Sequence, residues 1–152
     1  MGQTSGDFML IITPLLLSFL VTGLTGKVGS GYRKAWFQPP GYVFGVVWTA
    51  LYIMFGFLLY HGKHIDDKPT IGLVCGTIAL TYVWQYFFSY LKDYKTAIFI
   101  IFLTLLIGLE LLVRLIVMEW EDVYLYIYVP FISWIIFALL LSAFSGKKKL
   151  DS

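Results

Sequence analysis

Five long apolar runs, joined by short polar connections, limit what this chain can fold into more than any other feature. They lie at about residues 8–24, 41–60, 70–91, 96–118 and 123–144. A helix needs about 20 mostly apolar residues to cross the hydrocarbon core of a membrane, and each run is near that length. Membrane strands would be about 10 residues long with strict in/out alternation, whereas these runs are far longer and apolar on all sides. The expected fold is therefore an all-α integral membrane protein, a five-transmembrane-helix bundle in one domain over residues 1–152. Short connections make sequential helices antiparallel neighbours. The leader Met1–Asp7 has no basic residue, so the first run is read as a span rather than a cleavable signal.

Composition closes the other routes. Hydrophobic residues make up 59% of the chain and charged ones 13%. A soluble domain this small could not hide so much apolar surface. An ordinary soluble enzyme, a disordered chain and a basic nucleic-acid-binding domain are excluded together. Cys75 is the single cysteine, which excludes a disulfide framework and a thiolate zinc cluster.

Orientation follows from the lysines and arginines. The first loop holds Lys27, Arg33 and Lys34, the third Lys92 and Lys95, and the tail Lys147, Lys148 and Lys149. The second loop holds Lys63 and Lys68, and the fourth, Glu119 to Asp122, is acidic. With five spans, the first loop, third loop and C-terminus share the basic side, which the positive-inside tendency places in the cytoplasm.

The spans carry aromatic residues at helical spacing. Phe44, Trp48, Tyr52 and Phe55 share a face of the second helix, and Trp84, Phe87 and Phe88 one of the third. Tyr126, Pro130, Trp134 and Ala138 read as a stripe on the fifth, with Pro130 freeing the Tyr126 carbonyl. Such stripes either pack the bundle or wall a flat apolar pocket suited to a polycyclic ligand. The first loop at 25–40, with Trp36, Phe37 and Pro39, is either an interfacial anchor or a lid over that pocket.

Glu110 and Arg114, four residues apart on the fourth helix, read as a structural pair, with Arg114 free to snorkel toward the acidic fourth loop. His61 and His64 read as solvated loop residues without the ligands of a metal site. Gly72 and Gly76 form a spacing that lets helices approach closely, a candidate dimer face. Val83, Tyr86 and Lys92 match a loose sterol-contact pattern. No triad or phosphate-binding loop is present.

Three ordered motifs carry a resemblance. The stretch from Trp36 to Tyr52, with Pro39-Pro40 and then Val47-Trp48-Thr49-Ala50-Leu51-Tyr52, opens the second helix. Trp84 with Phe87-Phe88 follows in the third, and Pro130 through Trp134 to Phe137-Ala138 in the fifth. Together these are similar to the translocator protein family, also called the peripheral-type benzodiazepine receptor or tryptophan-rich sensory protein family.

The resemblance implies a five-helix bundle, often a homodimer, in the mitochondrial outer membrane of a eukaryote or in a bacterial membrane, and the start of the sequence, which does not read as an Arg-rich transit peptide, is compatible with the endoplasmic reticulum too. It implies a membrane receptor or sensor, with no required cofactor and no metal. The ligands would be a tetrapyrrole (protoporphyrin or haem), a sterol such as cholesterol, or synthetic aromatic compounds, held beneath the first loop. Trp48 and Trp134 would flank the ring, with Phe44, Tyr52, Trp84, Phe88 and Ala138 as walls and Trp36, Phe37 and Pro39 as the lid. Some bacterial relatives degrade protoporphyrin in light and oxygen with the tryptophans matching Trp48 and Trp134, and porphyrin or lipid transport is another reading. This chain departs from the pattern at Phe37, which stands at the usual loop Trp. It departs again at Thr81 and Ser142, which stand where the family commonly has Asn. The C-terminal sterol motif is reduced to Phe144 and the lysines.

Overall fold

The computed structural model describes residues 2–25 and 39–144, with side chains at 6–24, 39–40 and 42–144. The described residues form five long α-helices and no strand. These are α1 (Gly2–Thr25), α2 (Gly41–His64), α3 (Lys68–Gln85), α4 (Tyr94–Val117) and α5 (Asp122–Phe144). α3 runs directly into one π-helical turn, Tyr86–Tyr90. Five spans among these helices are long and apolar enough to cross a membrane. The helices outrun the apolar runs at several ends. α1 starts at Gly2 rather than near Phe8, and α2 continues past Tyr60 to His64. Hydropathy marks only the stretch that sits in hydrocarbon, whereas the backbone ladder continues while it remains the best partner for each N–H and C=O.

The three short connections share one construction. Each helix ends on a residue with positive φ, Asp66 (55°), Lys92 (53°) and Glu119 (54°). After α2, Asp66 N–H donates to the Lys63 carbonyl and Asp67 N–H to that of Gly62, the paired bonds of a Schellman end. After α4, Glu119 and Trp120 repeat the pattern onto Ile116 and Leu115. Asp67 and Asp93 then cap the next helix, each accepting from the backbone N–H three residues on, Thr70 and Thr96. A reversal completed in so few residues places the next helix beside the last.

α1 packs chiefly on α2 and less on α3, α4 lies against α3 and α5, and α2 also touches α5. Two glycines set the closest approaches. A Cβ on Gly56 of α2 would overlap the Ile11 carbonyl of α1. A Cβ on Gly108 of α4 would press on Tyr128, Phe131 and Ile132 of α5 at 3.3 Å. Inside, Phe55, Leu58, Trp84, Phe88, Ile101, Phe131 and Leu141 are buried. Outside, Phe19, Leu20, Val46, Phe99, Val113, Val117 and Leu140 remain exposed, a surface suited to lipid chains.

Candidate functional site

A cavity of about 400 Å³ lies between α1 and α2. That volume falls in the range of small-molecule sites, about 300–1,000 Å³. α1 contributes Ser18, Phe19 and Thr22, and α2 contributes Tyr42, Phe44, Gly45, Trp48, Thr49 and Tyr52. Gln85, the last residue of α3, is also in the wall. Helical spacing explains the α2 set, because residues 45, 48, 49 and 52 recur three and four apart on one face. Gly45 has open space where a Cβ would stand, which leaves room beside Trp48.

Behind Trp48 the aromatic residues close on one another. The Trp48 ring lies 6.0 Å from Trp84 and meets Trp134 edge-on at 6.3 Å. Trp48 stacks on Tyr52 at 5.6 Å, Phe44 meets Trp134 at 5.7 Å, and Trp84 stacks on Phe88 at 4.9 Å. Trp84, Phe88 and Ala138 are buried in this cluster. Of the expected pocket residues, Phe44, Trp48 and Tyr52 therefore line open space, whereas Trp84, Phe88, Trp134 and Ala138 stand behind them in the core. Pro39 is half-buried just before α2. Trp36, Phe37 and the rest of the expected lid lie outside the described residues. Tyr126 and Pro130 do not share a wall with Trp134 and Ala138, because both face outward. Steps of four residues drift about 40° each around a helix, so that stripe swings from the lipid side to the core.

Hydroxyl and indole pairs lock the cluster. Tyr52 Oη and Thr81 Oγ1 are 3.0 Å apart. The Trp84 indole N–H donates to Ser142 Oγ at 3.0 Å, and Ser142 donates to the Ala138 carbonyl at 2.9 Å. Thr81 and Ser142, the two positions singled out for lacking Asn, are thus the partners of two aromatic side chains. Gln85 Nε2 donates to Thr22 Oγ1 at 3.0 Å, and Tyr82 Oη donates to the Pro14 carbonyl at 2.6 Å, tying α3 to α1. The Trp134 indole nitrogen is buried and has no hydrogen-bond partner among the described residues.

At the other end of α2, sequence reasoning missed a polar cluster. Asp67 is buried and accepts from Arg114 Nη2 at 2.8 Å, from the Thr70 hydroxyl and from the Trp120 indole at 3.3 Å. Arg114 Nε also donates to Thr70 Oγ1 at 2.7 Å. The expected partner of Arg114, Glu110, instead stays exposed on the outer face of α4. Arg114 sits near the C-terminal end of its helix, where the buried Asp67 is within reach. Burial alone would raise the Asp67 carboxyl, but the bonds from Thr70, Arg114 and Trp120 outweigh it and hold the pKa at about 2. Asp67-Lys68-Pro69-Thr70 was the available signal, since an acid three residues before Thr and just ahead of Pro marks a helix start. His61 is not a solvated loop residue either. It lies in the last turn of α2, stacked on Tyr124 at 4.3 Å and against Trp120 at 4.8 Å. Among the described residues no group of His, Cys, Asp and Glu is placed to hold a metal. Gly72 and Gly76 have nothing within 4 Å of an added Cβ, so among the described residues they meet no other helix of the same chain.

Comparison with known proteins agrees with this architecture. The TspO/MBR family model matches residues 10–145. The chain is also similar to the tryptophan-rich protein TspO of Archaeoglobus fulgidus, 27% identical over 123 residues, which covers 74% of each sequence.

Proposed function

The chain belongs to the TspO/MBR family, and on that premise we propose that this integral membrane protein is a receptor or sensor for a hydrophobic polycyclic ligand. The ligand, a tetrapyrrole or a sterol, occupies the cavity between α1 and α2. The observation that carries this reading is the 400 Å³ space against Trp48, with Phe44 and Tyr52 beside it. Phe44, Trp48 and Tyr52 supply flat apolar surface, and Trp36, Phe37 and Pro39 belong to the segment proposed as its lid. Gly72 and Gly76 are the proposed contact face between two copies, since α3 carries no side chain there to keep a second backbone away.

The test is quenching of tryptophan fluorescence by protoporphyrin in the dark and then under illumination. Saturable dark quenching is expected, and Trp48→Phe should remove more of it than Trp134→Phe, because Trp48 alone of the two lines the cavity. Absence of saturable quenching would sink the tetrapyrrole reading. A second reading, light- and oxygen-dependent porphyrin breakdown with dioxygen as the oxidant, draws on the contact of Trp48 with both Trp84 and Trp134. An indole at the cavity wall that loses an electron to an excited porphyrin could then draw on two more behind it. That reading requires a new absorbing product under light and its loss in Trp48→Phe.

A further inference from the structure

Among the described residues, Glu110 is the acid set deepest within a helix. It stands seven residues before Val117, the last of α4, which is about 10 Å along the axis. The α4 span of 24 residues exceeds the hydrocarbon core by only about 6 Å, so the Glu110 position stays inside hydrocarbon. Helical side chains lean toward their own N-terminus. For Glu110 that direction is the middle of the membrane, away from the nearer surface. Acidic residues at such depth are costly, and almost always face a bundle interior or a cavity and pair there. Glu110 does neither. It is exposed on the outer face of α4, and among the described residues it has no hydrogen bond or ion pair.

The surface beside it is laid out as a helix seam. Phe99, Phe102, Leu106, Leu109, Val113 and Ile116 are all exposed. They alternate three and four residues apart along α4, the 3.5-residue repeat of two helices in contact. Glu110 flanks that seam next to Leu109, at a position where charged pairs choose the partner in such packing. Lipid chains would cover the apolar residues and leave the carboxyl uncompensated.

We propose that α4 is a docking face for a transmembrane helix of another protein, one with an apolar heptad face and a lysine or arginine level with Glu110. Charge complementarity selects this occupant. Two opposite charges that meet in hydrocarbon offset each other's desolvation, and the pair sets the height of the partner helix. A second copy supplies no such cation. Among the described residues Arg114 is engaged by Asp67 and Thr70, while Lys63, Lys68, Lys92 and Lys95 stand at helix ends or between helices. The basic residues of the first loop and tail fall outside the five spans. The seam is on α4, apart from both the cavity and the glycines of α3.

The experiment uses the full chain in phosphatidylcholine vesicles and a synthetic helix of about 20 leucines and alanines, without tryptophan and with a terminal dansyl group. One version carries a single arginine about 7 Å below the hydrocarbon surface, level with Glu110, and the other has leucine there. Energy transfer from the tryptophans of the chain to dansyl reports contact. Wild type should bind the arginine helix at about five-fold lower peptide-to-lipid ratio than the leucine helix, the scale of one polar contact between membrane helices. Glu110→Gln should shrink that preference and Glu110→Leu should abolish it. Both variants should melt as wild type in detergent, because Glu110 has no partner among the described residues to lose. Insertion of each peptide is the same for every variant, so it cancels between them. Equal transfer to the two helices in wild type overturns the inference. A preference kept in Glu110→Leu overturns it too, because the arginine is then read elsewhere. A chemically crosslinked dimer that forms without peptide and is lost in Glu110→Leu also overturns it, because the occupant is then a second copy.

Discussion

Trp84 and Trp134 are chemically alike and lie in the same cluster, yet among the described residues only the Trp84 indole proton has an acceptor. Ser142 accepts from Trp84, whereas Trp134 Nε1 is buried with no such acceptor among the described residues. Ser142→Ala would leave two tryptophans in that condition. Loss of about 1–3 kcal/mol is expected, the cost of orphaning a buried donor. Thermal unfolding in detergent measures it, and Ser142→Thr, which keeps the hydroxyl, should recover most of the loss. An unchanged melting point would mean that the indole finds another acceptor. Which residues matter at this scale was partly legible. Thr81 and Ser142 stood out by type, but their partners lie 29 and 58 residues away in sequence. Such pairings depend on how two helices are set in height and rotation, and neither composition nor spacing carries that information.

At the scale of elements, the helix count and order were legible, while the helix ends and close approaches were not. The turns at Asp66, Lys92 and Glu119 place charged residues where glycine is the usual choice, so the common stop signal was missing. Gly56 was passed over because a lone glycine in an apolar run looks neutral. Its place against the Ile11 backbone makes it the point where α1 seats on α2. Gly56→Ala should push the two helices apart and cost about 1–3 kcal/mol or more, as overpacking does. Since the cavity lies between the same helices, ligand affinity should fall with it, whereas Gly45→Ala, with open space at its Cβ, should fold as wild type. The Asp67 cluster joins the α2–α3 turn, α4 and the α4–α5 turn. Its carboxyl has a folded pKa of about 2 against 3.8 unperturbed. Because the folded value is the lower one, the stabilisation is complete above 3.8 and disappears as pH falls through about 2. Melting points recorded from pH 5 to pH 2 should fall in wild type and lose that component in Asp67→Asn. An identical pH profile in the two proteins would show that the cluster does not govern acid unfolding.

The whole molecule has two unlike ends. Asp67, Arg114 and Trp120 clamp one of them. The cavity lies toward the other, where Thr22 stands in the last turn of α1 and Tyr42 and Phe44 in the first turn of α2. A cavity near the first loop was one of two expectations for that loop, which read as an interfacial anchor or as a lid. The side of Trp48 on which the space lies was not, because aromatic spacing along a helix is the same for a packed core as for a wall. Charge supplies the direction. The first loop, third loop and tail carry Lys27, Arg33, Lys34, Lys92, Lys95 and the three terminal lysines, against Lys63 and Lys68 at the clamped end. The basic side should face the cytoplasm. Single cysteines on a Cys75→Ser background report this directly, with Ser152→Cys in the tail that follows α5 in sequence and Asp66→Cys in the turn between α2 and α3. A membrane-impermeant maleimide applied from the cytoplasmic side should label the first and spare the second. The cavity then opens to the cytoplasmic leaflet, so a ligand bound to an impermeant carrier should reach Trp48 from that side alone. Labelling of Asp66→Cys from the cytoplasm would invert the molecule and place the site on the opposite leaflet.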